Sequence, residues 1–326
     1  MSNEQTTKRH SIGTYIAATR PQFFTATLVP LLLGTAIAFS EGYLRIESLI
    51  LVLLAGIFVH AGTNLINDYH DYANGKGTDP IKLKYFPQDE NKFSGGSPFI
   101  KHGIIAPKTI RNFAFLMYIL SFLSATALTL LLGSSGWFLL VLALIAIFSG
   151  WLYSQPPFSL HSRGIGELLI GINFGPVGVL GAYFVQNPVI AFSNFLAPLI
   201  ASVPVGMLII TVVWINEVPD AQADEKAGKI TMVVRMGRKK AVSLLPFQFI
   251  IAYAWIISFV FLNVLPPAAL IALITLPLLP KIGVLSFHNY NDGQKLEPAN
   301  AMTVMVHTVT GILLVAGYLI HTFIFI

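Results

Sequence analysis

No cysteine occurs in the 326 residues, which excludes a disulfide framework and leaves the redox compartment unmarked. Charge is scarce as well: Asp, Glu, Lys and Arg make up 11% of the chain, against about 25% in a soluble globular protein. With 55% hydrophobic residues and a mean hydropathy of +0.71, that deficit excludes a water-soluble fold. Also missing is the alternation of apolar and polar residues, in segments of about ten, that a membrane β-barrel needs. The opening MSNEQTTKRH is polar, and the apolar run behind it is too long, and lacks a clear small-residue cleavage site, to read as a removable leader. His60, His307 and His321 have no partners at metal-ligand spacing and read as packing or interfacial residues. Nucleic acid is not an expected partner.

What is present is a series of nine apolar runs, near 22–40, 46–67, 110–132, 136–154, 166–185, 194–215, 242–263, 267–286 and 303–325. Each is long enough to cross about 30 Å of hydrocarbon as a helix, and a helix satisfies its own backbone groups in lipid. The expected fold is therefore all-α: one integral membrane domain over 1–326 with nine transmembrane helices, membrane lipid as its solvent and a polar N-terminal segment 1–21. Cytoplasmic loops carry an excess of Lys and Arg. With the N-terminus inside, only Arg45 of the 20 basic residues falls outside. This predicts an N-in, C-out protein, without naming the organism; a bacterial or archaeal cell membrane is the expected location.

The polar residues that do occur at span ends are concentrated. In NLINDYHD, Asn64, Asp68 and Asp71 recur at i, i+4 and i+7, on one helical face with Asn67 beside them. In NEVPDAQAD, Asn216, Asp220 and Asp224 recur at i, i+4 and i+8, again closing an apolar run. Both clusters fall on the cytoplasmic side, although the orientation came from Lys and Arg alone. Hard oxygen donors of this kind suit Mg²⁺, which commonly completes its shell with substrate phosphates. The pair predicts one diphosphate held between two metal positions. The clusters close the second and sixth spans, as two four-helix units plus one helix around a central site would place them. Between spans two and three, the polar segment 72–108 follows the first cluster directly, and a segment of that length is expected to act as a lid.

NLINDYHDY, followed by NEVPDAQADEKAGKITMVVRMG, resembles the NDxxD and DxxxD elements of the UbiA superfamily of intramembrane aromatic prenyltransferases. RPQFFTATLVPLLLGTAIA, the NxxNDxxD form of the first element, YSQPPFSLHSRGIGELLIGINFGPVGVLGAYFVQ and the DEKAGKITMVVRMG tail are similar to its MenA-type 1,4-dihydroxy-2-naphthoate branch. Spans seven to nine match in hydropathy only. Where the family often has a further Asp four residues after NDxxD, this chain has Gly75, with Asp79 four residues later. The resemblance implies transfer of a polyprenyl group from its diphosphate to a ring carbon of a small aromatic acceptor, with loss of the ring carboxylate as CO₂. It implies Asn64, Asn67, Asp68 and Asp71 at one Mg²⁺ position and Asn216, Asp220 and Asp224 at the other. Lys229, Arg235 and Arg163 are the expected diphosphate cations. Tyr153, with Tyr69 and Tyr72, would face the allylic cation through π surfaces, and GxxGxxGAY from Gly175 to Tyr183 would give close helix contact.

Simpler roles compete with some of these. Basic residues beside a span mark the inside and attract anionic lipid, the expected role of Arg238, Lys239 and Lys240. Tyr153, Tyr69 and Tyr72 are equally suited to an interfacial belt, and Glu167 to the N-terminus of its own helix. A secondary transporter would also show many helices and intramembrane carboxylates, but near the midplane. Carboxylates at helix ends favour an enzyme. Sibling acceptors such as 4-hydroxybenzoate share the superfamily motifs.

Overall fold

A computed structural model describes residues 11–73, 81, 84–94, 98–187 and 189–325. Among them, nine helices are long and apolar enough to cross a membrane: α1 Pro21–Ser40, α2 Ile46–Ala73, α3 Pro107–Leu132, α4 Trp137–Ser154, α5 Gly166–Gln186, α6 Ser193–Glu217, α7 Arg238–Phe261, α8 Pro267–Asn289 and α9 Gly293–Ile324. The protein is an all-α, multi-pass membrane protein. Two helices outrun their apolar stretches. α2 continues through the first acidic cluster to Ala73, and α9 starts at Gly293, ahead of the apolar run at 303. Hydropathy fails at such turns because polar residues can extend a helix once it leaves hydrocarbon.

Lipid tails are as apolar as leucine, so helices associate through close packing and buried polar contacts rather than through water exclusion. Small residues allow the approach. A Cβ on Gly34 of α1 would lie 2.2 Å from the Val179 carbonyl oxygen of α5, and one on Gly175 would lie 2.9 Å from Gly206 Cα of α6. Of the GxxGxxGAY glycines, Gly175 makes the expected close contact, a Cβ on Gly178 would lie 3.2 Å from Pro30 of α1, and one on Gly181 would meet nothing nearer than 3.9 Å. Over Asn173–Val177, α5 widens to π geometry around Pro176, whose ring has no N–H to complete an α-helical turn. Elsewhere a closed polar cluster ties three helices: Tyr253 Oη of α7 lies 2.6 Å from Thr275 Oγ1 of α8 and 2.8 Å from Thr310 Oγ1 of α9.

The acidic helices α2 and α6 each pack on the helix that follows, as a duplicated unit requires, and α1 lies against α5. Beyond that the neighbours differ: α2 also packs on α4, α6 on α9. The connection between α2 and α3 crosses to the other half of the molecule. Asp89 is fully buried in a bidentate ion pair with Arg238, whose guanidinium also donates to the Pro219 carbonyl at 3.0 Å. Arg238 is thus a buried structural cation, contrary to its expected role at the lipid surface; Lys239 and Lys240 are exposed. Gly75 and Asp79 lie outside the described residues.

Candidate functional site

The acidic ends of α2 and α6 meet at one end of the bundle, on the wall of a cavity of about 410 Å³. Asn64 and Asn67 line it from α2, Asn216, Glu217 and Asp220 from the end of α6, and Arg20 from the turn before α1. Deeper in, the wall is apolar, with Val52 on α2, Leu128 on α3, Leu139 and Leu142 on α4 and Val185 on α5. From Asn67 to Val52 is about 22 Å along one helix at 1.5 Å per residue. Polar pairs interrupt the wall part-way: Thr27 Oγ1 with His60 Nδ1 at 2.7 Å, and Ser149 Oγ with Asn173 Oδ1 at 2.9 Å. His60, expected to be a packing residue, faces this space.

The first cluster divides its labour. Its amides line the cavity, while its carboxylates reach cations brought from distant parts of the chain. Asp68 pairs with Arg20, a residue 48 positions away. Arg20 holds φ 58° and ψ 57°, the left-handed region that side-chain-bearing residues avoid and that concentrates at functional sites. Asp71 Oδ2 accepts from Lys229 Nζ at 2.7 Å, so a cation following the second cluster is bound by the first. Burial works against the charge of Lys229, but Asp71, then Asp224 and Asp220, outweigh it and hold its pKa above the ordinary lysine value. His161 approaches Asp71 Oδ1 at 3.8 Å. Its Nδ1–H donates to the Tyr153 carbonyl at 2.7 Å, which leaves Nε2 on the carboxylate side.

The remaining expected cations lie elsewhere. Arg163 is exposed and donates to the Pro157 carbonyl at 2.7 Å; Arg235, also exposed, donates to the Arg163 carbonyl at 3.1 Å. Both brace the loop between α4 and α5, and neither lines the cavity. Of the tyrosines, Tyr153 lines it. Tyr69 packs under Arg111, with 5.7 Å from guanidinium to ring centre, and Tyr72 is 57% exposed. Glu167 stands in the first turn of its own helix, as expected, and also accepts the backbone N–H of Met232 at 2.7 Å, at the start of the short helix Met232–Met236.

Amide orientation separates the clusters further. Asn64 Nδ2 donates to the Thr19 carbonyl at 3.0 Å, leaving Oδ1 for the site. Asn67 Oδ1 is buried without a hydrogen-bond partner. Asn216 is the reverse: its Oδ1 accepts from Asn300 Nδ2 at 2.7 Å. Among the described residues no group of three or more His, Cys, Asp or Glu converges as a carboxylate and imidazole cage. The donor set instead mixes amide and carboxylate oxygens. A bare, buried amide oxygen beside carboxylates is a donor that a hard, partly hydrated cation satisfies, so these residues fit Mg²⁺. Sequence reading missed Arg20, His161, Glu217 and Asn300. Only Glu217, an acid directly after Asn216, carried a local signal.

Residues 27–309 match the UbiA prenyltransferase family. The 1,4-dihydroxy-2-naphthoate octaprenyltransferase of Bacillus subtilis (strain 168) is 30% identical over 307 residues, covering 94% of this chain and 92% of that protein. The 2-carboxy-1,4-naphthoquinone phytyltransferase of Synechocystis is 28% identical over 309 residues, with 93% and 92% covered. Among solved structures, a UbiA homolog from Aeropyrum pernix K1 superposes with a TM-score of 0.64 at 16% identity, covering 90% of this chain and 97% of that one. Another, from Archaeoglobus fulgidus and bound to GPP and Mg²⁺, gives 0.59 at 18% identity, with 95% and 99% covered. On the matched length and the helical architecture together, the chain belongs to the UbiA prenyltransferase family.

Proposed function

We propose that the protein transfers a polyprenyl group from its diphosphate to a ring carbon of 1,4-dihydroxy-2-naphthoate, with decarboxylation, giving a demethylmenaquinone precursor. The observation that carries this reading is one continuous cavity, which joins a highly polar end at Asn67 and Asp220 to a long apolar interior. That shape suits a ligand with a charged head and a hydrocarbon tail. The names of the Bacillus and Synechocystis relatives support the naphthalene acceptor.

In the reaction the allylic C–O bond breaks and its electron pair leaves with diphosphate. The ring carbon bearing the carboxylate forms the new C–C bond, and the ring recovers its electrons as the bond to CO₂ breaks. Oxygens of Asn64, Asn67, Asp68, Asp71, Asp220 and Asp224 would hold Mg²⁺, which when bound neutralises diphosphate charge. Arg20 and Lys229 stand ready as cations at the same end. Tyr153 offers a π face to the developing allylic cation. The apolar interior keeps water from that cation. The acidic end faces the cytoplasm, on the strength of the Lys and Arg distribution.

Turnover of a radiolabelled polyprenyl diphosphate with 1,4-dihydroxy-2-naphthoate, and with 4-hydroxybenzoate in parallel, tests the reaction. A decarboxylated prenyl-naphthalene that forms with Mg²⁺ and fails to form with EDTA is expected. Product from 4-hydroxybenzoate alone would overturn the acceptor. Because the chain has no cysteine, single-cysteine labelling reads the orientation. Leu44→Cys should react with an impermeant maleimide on intact cells, and Lys239→Cys only after permeabilisation.

A further inference from the structure

We infer that a relay of side-chain amides, Asn91 to Asn300 to Asn216, fixes the polarity of the second cluster, so that Asn216 presents N–H to a diphosphate oxygen rather than a carbonyl oxygen to a metal. Asn300, on α9, is the positioning residue of that contact. The inference rests on the diphosphate chemistry proposed above.

An asparagine amide has one end that accepts and one that donates, and either orientation fits the same space. Backbone groups, whose polarity is fixed, decide between them here. Phe93 N–H donates to Asn91 Oδ1 at 2.8 Å, and Asn91 Nδ2 donates to the Gly293 carbonyl at 2.7 Å. Both ends of Asn91 are therefore set, and its Nδ2 also donates to Asn300 Oδ1 at 3.2 Å. Asn300 Nδ2 then donates to the Ile215 carbonyl at 3.1 Å, a partner that can only accept, and to Asn216 Oδ1 at 2.7 Å. Asn300 is fully buried and Asn91 is 7% exposed, so water offers no substitute partner. Reversing Asn216 would set nitrogen against nitrogen and leave a buried donor unmet.

Asn216 lines the cavity, and with its Oδ1 turned to Asn300 the opposite end of the amide, Nδ2, is the one left for the cavity. An N–H there suits the oxygens of a diphosphate and repels a cation. The relay begins in the segment between α2 and α3, whose Phe93 and Ser94 also line the cavity. That connection therefore sets the charge preference of one wall.

The test is a double-mutant cycle read by binding. Calorimetry measures inorganic pyrophosphate affinity in the presence of Mg²⁺ for the full-length protein, Asn216→Ala, Asn300→Asp and the double variant. Asn300→Asp keeps the acceptor for Asn91 and removes both donor hydrogens. Each single change should weaken pyrophosphate binding about tenfold, the scale of a hydrogen bond to a charged group. The double variant should bind no worse than Asn216→Ala. Electron paramagnetic resonance of Mn²⁺, without pyrophosphate, should give affinities within about twofold of the unaltered protein throughout. An equal loss from Asn300→Asp in the Asn216→Ala background would overturn the relay. So would a fall in Mn²⁺ affinity in Asn216→Ala that matches its loss of pyrophosphate, a measurement that stands even if Asn300→Asp does not fold. Absence of pyrophosphate binding by the unaltered protein would instead overturn the proposed function, and the relay with it.

Discussion

The acidic ends of α2 and α6 look like copies in sequence, each an asparagine with an aspartate one turn on and another beyond it. The molecule surrounds them differently. At the end of α2 each carboxylate meets a cation from elsewhere, Asp68 with Arg20 and Asp71 with Lys229, while Asn67 keeps a bare oxygen. At the end of α6 the asparagine oxygen is taken by Asn300, and the chain turns at once into the short helix Ala221–Ala227. A repeated motif sets where donors stand. Neighbours that are not repeated set which sign of charge each wall prefers.

The strongest way to break this comparison is to remove carboxylates from both sides. Asp68→Asn, Asp71→Asn, Asp220→Asn and Asp224→Asn should each lower turnover at least about a thousandfold, ~4 kcal/mol of barrier. Melting in detergent should change least in Asp220→Asn, whereas Asp71→Asn, which strands the buried Lys229, should cost ~3 kcal/mol of stability. Normal turnover in any two of them would dissolve the shared metal role. Next in size is Lys229→Met, which removes the cation linking the clusters. It should cost about a hundredfold in kcat/KM and, by stranding Asp71, ~3 kcal/mol of stability; adding Asp71→Asn should restore the melting temperature without restoring turnover. Since the folded pKa of Lys229 is raised, its stabilisation is complete below the ordinary value of 10.5 and disappears only as pH climbs through the higher folded value. Melting curves should therefore show no loss from Lys229 between pH 7 and about pH 10. A sharper contrast comes from exchanging amide for carboxylate. Asn67→Asp keeps an oxygen where one is used and should stay within about threefold of normal turnover, whereas Asn216→Asp loses an N–H donor to charged oxygen and should fall about thirtyfold. Smallest of all, Arg163→Gln and Arg235→Gln should change the KM for prenyl diphosphate by less than about twofold, because each guanidinium is spent on a loop carbonyl.

Much of the architecture was legible because a membrane simplifies the problem: length and hydropathy alone locate a helix that must satisfy its own backbone. The same criterion hides what lies just outside the hydrocarbon. Asn300 sits in the polar first turns of α9, a stretch that hydropathy assigns to a connection, so nothing marked it as part of a site. Arg20 was counted as one more inside charge, since its pairing with Asp68 depends on a left-handed turn and not on spacing. The candidate site showed its acids and Lys229 through a local pattern. Arg235 follows the second cluster and Arg163 lies in the loop between α4 and α5, and neither position says which carbonyls a long side chain will find.

The crossing of the segment between α2 and α3 also bears on how the protein is made. Asp89 must find Arg238, 149 residues later, and Asn91 must find Gly293 and Asn300, 202 and 209 residues later. Synthesis proceeds from the N-terminus, and early parts organise first. Both acidic helices are therefore in place before the α7 and α9 partners of Asp89 and Asn91 have been made. A chain halted before α9 would carry every aspartate of the site and still lack the contacts of Asn91, so α9 completes a segment made 202 residues earlier.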